Sequence, residues 1–378
     1  MNKSFRSMPF LFAAAIFCAA AIYGCASPAK VSVSAQQEAS LAVSIREPIV
    51  LVCRIDTVTA DEEISSLSFA LAPLVRRDLF CVQTISVVPT TDTNVPVRAS
   101  FLTENGLRKL ARAHGADIVT VGMLRGDSKK VEIEFEAYDV DSDSFFHKAK
   151  IEGKTSRIFE LQRKLVYGLI DALGITMTKE ERDRLESSRP RKSEAAVEYG
   201  RGLMKEWKEE FTEALIALAN AYRSDTSFAA PHFAEARVFD KYNAPSRAVK
   251  SFGKAVAIDK YYAEAWYQLN VFAAGHKNRD DVAMGYCLEA LNIAPRFGKA
   301  RLSLGTRLYA LGDLSGAIEQ TKTAAELLRA DPLSRYNLGF YYLHSAQPEE
   351  ARKWFERSLK IDPGFERARA ELLKLQGS

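Results

Sequence analysis

Three aspartates in one short stretch have the spacing of the first ligands in a calcium-binding loop. Asp139, Asp141 and Asp143 alternate with other residues, and carboxylate oxygens at positions 1, 3 and 5 of such a loop bind Ca²⁺. The loop also needs glycine at position 6 and a bidentate glutamate at position 12. Ser144 and Lys150 stand at those positions. The stretch therefore predicts a hairpin turn and no metal site.

The other residue types that could do chemistry do not form a reactive group. The five histidines are scattered, with no second histidine at ligand spacing. Neither HExxH nor GxSxG occurs, and no glycine-rich loop that would hold phosphate is present. Cys53, Cys81 and Cys287 are expected to be buried thiols, with a disulfide between the first two as the alternative. The sequence predicts no cofactor, no metal and no enzymatic activity.

Cys25 directly follows a hydrophobic leader. Lys3 and Arg6 precede an apolar region over 8–22 that is too short to span a membrane comfortably, which predicts a signal peptide over 1–24. The run Ile22-Tyr23-Gly24-Cys25 resembles the lipobox of bacterial lipoproteins. The resemblance implies lipidation of Cys25 and a place in the bacterial cell envelope, facing the periplasm, with the outer membrane favoured over the inner one. The alternatives are a signal cut after Ala21 and an uncleaved anchor.

The composition is that of a globular protein without a nucleic-acid partner. The chain has 378 residues, of which 47% are apolar and 26% charged. Its formal net charge of +4 falls to +2 (4 − 2) when the leader, with Lys3 and Arg6 and no acid, is removed. This balance excludes the basic footprint of a nucleic-acid-binding protein. The membrane is expected as a partner only through the lipid.

The pattern of apolar residues over 48–187 predicts a small mixed α/β domain. A flexible tether over 25–47 is expected before it, and a hinge over 188–194 after it. Pro73 should kink or break the first helix. Capping boxes are expected at Thr59 with Glu62 and at Thr178 with Glu181. The expected strands cover 49–55, 82–88 and 117–124, and the expected helices cover 62–77, 103–114 and 156–173.

The two strands that follow have an alternating pattern that predicts their register. Apolar residues over 131–137 alternate with glutamates, and lysines recur on one parity over 145–151. A slip of one residue would lose the charge matches and the apolar matches together. The predicted facing pairs are Glu136 with Lys148, Glu134 with Lys150, Tyr138 with Phe146, Phe135 with Ala149 and Ile133 with Ile151.

Several short runs in this domain resemble the TolB amino-terminal-type domain. They are Gly115-Ala116-Asp117-Ile118-Val119, Phe159-Glu160-Leu161-Gln162, Leu173-Gly174-Ile175 and Thr178-Lys179-Glu180-Glu181. The resemblance covers roughly 48–190 and implies a small α/β module without known chemistry, of a type that often precedes helical repeats in bacterial envelope proteins.

From residue 195 onward the chain is periodic. Alanines recur at intervals of 34, 35, 34 and 34 residues, at Ala214, Ala248, Ala283, Ala317 and Ala351. The pattern resembles the tetratricopeptide repeat, in which small residues let two helices of a hairpin approach closely and stacked repeats leave a concave groove. Five repeats are predicted, over 195–228, 229–262, 263–297, 298–331 and 332–365, with a capping helix over 366–378. The expected fold class is α+β.

The fifth position of each repeat faces the concave side in this family, and four of the five residues there are aromatic, although aromatics make up 10% of the chain. If the rings are exposed, the groove would bind a protein or peptide segment. The alternative is that the rings pack between neighbouring helices. The candidate partner-binding residues are Tyr199, Phe233, Tyr267, Leu302 and Tyr336, together with Phe340 at a ninth position.

These features together predict a lipid-anchored envelope scaffold or adaptor that binds a protein partner in its repeat groove and takes part in assembling an envelope complex. The alternative function is a sensor or regulatory module, in which the α/β domain binds a small ligand or oligomerises and the repeats transmit the change.

Overall fold

The computed structural model describes residues 47–89, 103–187, 190–275 and 279–376. The predicted signal peptide, Cys25 and nearly all of the tether lie outside these residues. No helix in the described ranges has the length and apolar character needed to cross a membrane.

A five-stranded sheet forms the centre of the α/β domain, in the order β2-β1-β3-β4-β5. β1 is parallel to β2 and to β3, whereas β3, β4 and β5 are antiparallel neighbours. β1 is buried along most of its length, as its continuous apolar run predicts. The predicted second strand is shorter than expected, since only two residues pair. The strands are β1 (Ile49–Thr57), β2 (Ser86–Val87), β3 (Ile118–Gly126), β4 (Lys130–Asp139) and β5 (Ser144–Lys154).

The predicted register of β4 and β5 is confirmed over most of the pair. Glu134 lies opposite Lys150, Glu136 opposite Lys148 and Phe135 opposite Ala149. The register shifts after Ala137, so Tyr138 faces Phe145 and not Phe146. The ion pairs differ from the register in one place, because Lys150 bonds Glu132 at 2.9 Å while Glu134 pairs with Arg125 of β3.

Four helices pack around the sheet. Residues of α2 pack on one face, and α1 and α3 pack on the other. The N-cap of α1 is Asp61, whose carboxylate accepts from the Glu63 amide at 2.9 Å, so the predicted Thr59 and Glu62 capping box is wrong. The helix also runs through Pro73 without ending there. The helices are α1 (Glu62–Leu79), α2 (Glu104–His114), α3 (Ile158–Ala172) and α4 (Lys179–Ser187).

The second predicted capping box is confirmed. The Thr178 amide donates to the Glu181 carboxylate at 2.7 Å, and the Glu181 amide donates back to the Thr178 hydroxyl at 3.2 Å. These reciprocal bonds satisfy two amides that the first turn of α4 leaves without a helical partner. The same Glu181 carboxylate accepts from the Gln83 amide at 2.7 Å, which ties α4 to the segment before β2.

The rest of the described chain is a row of antiparallel helix pairs, one pair for each predicted repeat. A Cβ on Gly339 would lie 2.7 Å from the ring of Phe355 in the facing helix, which shows why the repeat needs a small residue at such a position. The helices are α5 (Ser193–Trp207), α6 (Phe211–Ser224), α7 (Ala230–Lys241), α8 (Pro245–Ile258), α9 (Ala263–Ala274), α10 (Asp280–Ile293), α11 (Gly298–Ala310), α12 (Leu314–Leu327), α13 (Pro332–His344), α14 (Pro348–Ile361) and the capping helix α15 (Glu366–Gln376).

The α/β domain and the first repeats share one hydrophobic core. α1 lies against α5 so closely that the Ser66 carbonyl reaches the position that a Cβ on Gly200 would occupy. Part of the predicted hinge is held in place, because the amides of Arg191 and Lys192 both donate to the Asp225 carboxylate. In the described residues the two parts of the chain therefore pack as one body.

Candidate protein-binding site

The aromatic residues at the fifth positions pack inside their own repeats. In four of the five repeats, the ring contacts the aromatic residue that ends the same repeat. The fourth repeat has Leu302 and Asp331 at these positions instead. The four ring pairs and their centroid distances are Tyr199 with Phe228 at 5.2 Å, Phe233 with Tyr262 at 4.8 Å, Tyr267 with Phe297 at 5.0 Å and Tyr336 with Phe365 at 5.7 Å.

Two of the predicted partner-binding residues are not accessible. Tyr199 is 1% exposed and Phe233 is 3% exposed, so neither can contact a partner in this conformation. For these two the prediction of an open groove is wrong, and the alternative of rings packed between helices holds. The physical reason is that burying a ring against another ring removes a large apolar area from water. Tyr267 and Leu302 are half-buried.

The aromatic residues that end two of these repeats also receive rings from the α/β domain. Phe159 of α3 contacts Phe228 edge-on at 5.4 Å, and Phe80 contacts Phe297 at 4.9 Å. Phe228 and Phe297 are consequently buried almost completely. The last residue of a repeat therefore serves as a docking point for an aromatic side chain.

Ion pairs also hold the α/β domain against the repeats. Arg77 of α1 bonds Asp259 with Nη2 at 2.6 Å and Nε at 2.8 Å, and it bonds Asp78 at 2.8 Å. Burial opposes the charge on Arg77, but Asp259 and Asp78 still hold its pKa well above the ordinary value. Arg76 lies 3.6 Å from Glu264 of α9. These buried pairs orient α1 across the second and third repeats.

The α/β domain also contacts the turns that follow the third and fourth repeats. The Arg296 side chain bonds the Glu47 carboxylate at 2.5 Å. The backbone carbonyl of Arg296 accepts from the Ser86 hydroxyl at 3.0 Å. Arg329 forms an ion pair with Asp117. The described part of the domain thus lies along the turns between repeats, as far as the turn at Arg329.

The fifth repeat has an aromatic surface whose rings contact no ring of the α/β domain among the residues that the structure describes. Tyr336, Phe340 and Phe365 are half-buried, and His344 is exposed. The rings form a connected group: Phe340 contacts His344 at 4.2 Å and Tyr309 at 5.5 Å. We define the repeat-five aromatic surface as Tyr309, Tyr336, Phe340, His344 and Phe365.

Sequence reasoning found two members of this surface and missed three. Tyr336 and Phe340 were predicted from the fifth and ninth positions of the repeat. Phe365 could have been found, because an aromatic residue also ends the first three repeats. The exposed His344 is held by its own helix, since its Nδ1 lies 2.9 Å from the Phe340 carbonyl oxygen. The surface offers apolar contact and ring faces, which suit recognition of a protein segment.

A metal site and a reactive thiol each place requirements on the side chains of the described residues. No cluster of three or more histidine, cysteine or acidic side chains in the described ranges could hold a metal ion. Cys53, Cys81 and Cys287 are free, so the alternative of a disulfide is wrong. Burial raises the pKa of each thiol to about 12, which keeps them protonated and unreactive at neutral pH.

Comparison with known proteins identifies one of the repeats. The tetratricopeptide repeat family matches residues 332–365, the range predicted for the fifth repeat. Human protein O-mannosyl-transferase TMTC3 is 23% identical over 131 residues, which cover 34% of this chain. The chain spans only 14% of the length of that protein.

Solved structures of repeat proteins are also similar. YrrB, described as a tetratricopeptide protein with an unusual peptide-binding site, is 20% identical over 47% of this chain and 90% of its own, with a TM-score of 0.40. PilF from Pseudomonas aeruginosa is 20% identical over 48% of this chain and 83% of its own, with a TM-score of 0.44. The chain is an α+β protein in which a row of antiparallel helix pairs, one of which matches the tetratricopeptide repeat, follows a five-stranded α/β domain.

Proposed function

We propose that this protein is a lipid-anchored scaffold of the bacterial cell envelope, and that it binds a protein partner at the repeat-five aromatic surface. Tetratricopeptide repeats indicate a scaffold for protein–protein interaction. The envelope location rests on the leader and Cys25, and the resemblance to TolB amino-terminal-type domains supports it. Assembly of an envelope complex is the process we assign to it.

One observation supports the choice of surface. In two repeats a ring of the α/β domain contacts the aromatic pair: Phe159 contacts the pair of Tyr199 with Phe228, and Phe80 contacts the pair of Tyr267 with Phe297. The equivalent pair in the fifth repeat, Tyr336 with Phe365, contacts no ring of that domain within the described residues. An aromatic or large aliphatic side chain of a partner fits there for the same reason that Phe159 and Phe80 fit on the earlier repeats.

A photo-crosslinking experiment tests this surface. A photoreactive phenylalanine analogue at the exposed position 344 is expected to give a defined crosslinked protein in intact cells. Adding Phe340→Ala should lower its yield about tenfold, because truncating a central ring of an interface costs much of the binding energy. Because Phe340 also packs against the core of the last repeat, the thermal midpoint is measured in parallel, and the yields are compared at a temperature where both proteins are folded.

The matched control places the same analogue at Val58, an exposed apolar position of the α/β domain. It should give a different product or none, and Phe340→Ala should not change it. Equal yields from position 344 with and without Phe340 would refute the proposed surface.

The lipid anchor has its own test. Cys25→Ser removes the thiol that would be acylated, and several acyl chains are needed for stable anchoring. The variant should therefore leave the membrane fraction or retain its leader, and it should no longer incorporate labelled palmitate. A variant that still carries the label and sediments with membranes would contradict the anchor, while the crosslinking result would remain valid.

A further inference from the structure

The second helix of the first repeat, α6, has an apolar outer face with a large exposed aliphatic side chain, Ile216. Two residues after the recurring alanine this helix has Ile216, and five residues after it has Ala219. The later repeats mostly have charged residues there. Their residues at the first of these positions are Lys250, Gly285, Glu319 and Lys353, and at the second Gly253, Leu288, Lys322 and Glu356.

This face forms the floor of a groove of about 550 Å³ between the first and second repeats. Ile216 is 58% exposed and Tyr242 is 49% exposed, so large apolar side chains lie open to water. The Tyr242 ring is held by an edge-on contact with Phe211 at 5.1 Å. The lining residues are Thr212, Leu215, Ile216, Ala219 and Arg223 from α6, and Phe239, Tyr242, Ala244 and Arg247 from the second repeat.

Two arginines give the groove a charge. Arg223 and Arg247 both line it and are exposed. Neither forms an ion pair with a carboxylate among the described residues. The Arg247 guanidinium lies 5.7 Å from the centre of the Phe239 ring, which directs it along the apolar wall. The groove thus offers apolar contact together with two planar donors for carboxylates.

We propose that this groove binds an acidic amphipathic helix of a partner protein. Apolar residues of that helix would cover Ile216 and Tyr242, and its carboxylates would pair with Arg223 and Arg247. A small molecule fits less well, because small-molecule sites bury most of the ligand and this floor is open on one side. The groove is formed by the first two repeats, so the inference stands independently of the repeat-five aromatic surface.

Peptide display on the full-length chain in detergent provides the test. The probe is a displayed library of random 16-residue peptides, with counter-selection on the Ile216→Glu variant. Enriched peptides are expected to carry apolar residues at helical spacing and a net negative charge. A labelled peptide from the selection should bind Ile216→Glu at least tenfold more weakly, because a charge then replaces the centre of the apolar floor.

Exchanging the charges distinguishes specific ion pairing with the two arginines from nonspecific binding. Arg223→Glu with Arg247→Glu should weaken binding about tenfold, and a peptide with its glutamates changed to arginine should regain it. Lys250→Glu, which changes a cation of α8 outside the groove, should leave affinity unchanged. Basic or neutral enriched peptides, or no enrichment, would overturn the proposal. Binding to phosphatidylglycerol vesicles that requires Ile216 and both arginines would also overturn it, since the groove would then contact a membrane.

Discussion

Gly200→Ala is expected to lower the free energy of unfolding by about 3 kcal/mol or more, although it adds a single methyl group. The new Cβ would lie 1.9 Å from the Ser66 carbonyl oxygen and 2.5 Å from the carbonyl carbon. Both atoms belong to the backbone of α1, which cannot rotate away as a side chain can. α1 and α5 must therefore separate and expose part of the shared core. Urea unfolding followed by circular dichroism measures the loss.

The number of steps in the urea unfolding curve provides a second test of the contact between α1 and α5. The wild-type chain should unfold the α/β domain and the first repeats together, because one core spans both. In the variant an early transition should precede the main one. The control is Gly285→Ala in α10, where a Cβ meets nothing within 4 Å. It should raise stability by up to about 1 kcal/mol, since alanine is the better helix former. Equal losses in the two variants would show that α1 does not pack on α5 as described.

Arg77→Met is expected to cost about 3–5 kcal/mol at neutral pH, because it leaves buried carboxylates without their partner. Asp259 loses the hydrogen bond from Nε and the ion-pair contact with Nη2, and Asp78 loses one hydrogen bond from Nη1. Asp78 keeps the bond from Gln162 at 3.0 Å, which does not replace a charge. Arg125→Met is the matched control. Arg125 pairs with two glutamates on the exposed face of the sheet, where losing an ion pair costs about 0–1 kcal/mol.

The pH dependence of this variant identifies the cause. Without Arg77, the two carboxylates stay buried with no cation beside them, and an unpaired buried charge is costly. Acid removes that charge, so the penalty is largest near neutrality and falls on acidification. The stability deficit relative to wild type should therefore shrink between pH 7 and pH 4. A deficit that stays constant or grows on acidification would mean that lost packing, and not unpaired charge, destabilises the variant.

Local patterns in the sequence were enough to predict the elements and the repeats. The spacing of the alanines, from Ala214 to Ala351, follows from a requirement inside each hairpin, where only a small residue lets the two helices touch. The register of β4 and β5 was predicted to within the shift at Tyr138, because parity places both charge and apolar character on defined faces. Such patterns involve residues whose separation in the sequence lies between a few positions and the length of one repeat.

The tertiary structure alone decided which surfaces are covered. A half-buried ring and a fully buried ring have the same sequence pattern, so Tyr199 and Tyr336 could not be told apart before the position of the α/β domain was known. That position depends on contacts between residues far apart in the chain, such as Arg77 with Asp259 and Ser66 with Gly200. By itself the sequence determined the repeats, their aromatic positions and the strand pairing. The packing of α1 on the repeats places the described part of the α/β domain along the turns as far as the fourth repeat, so the rings of the fifth repeat have no ring contact from that part.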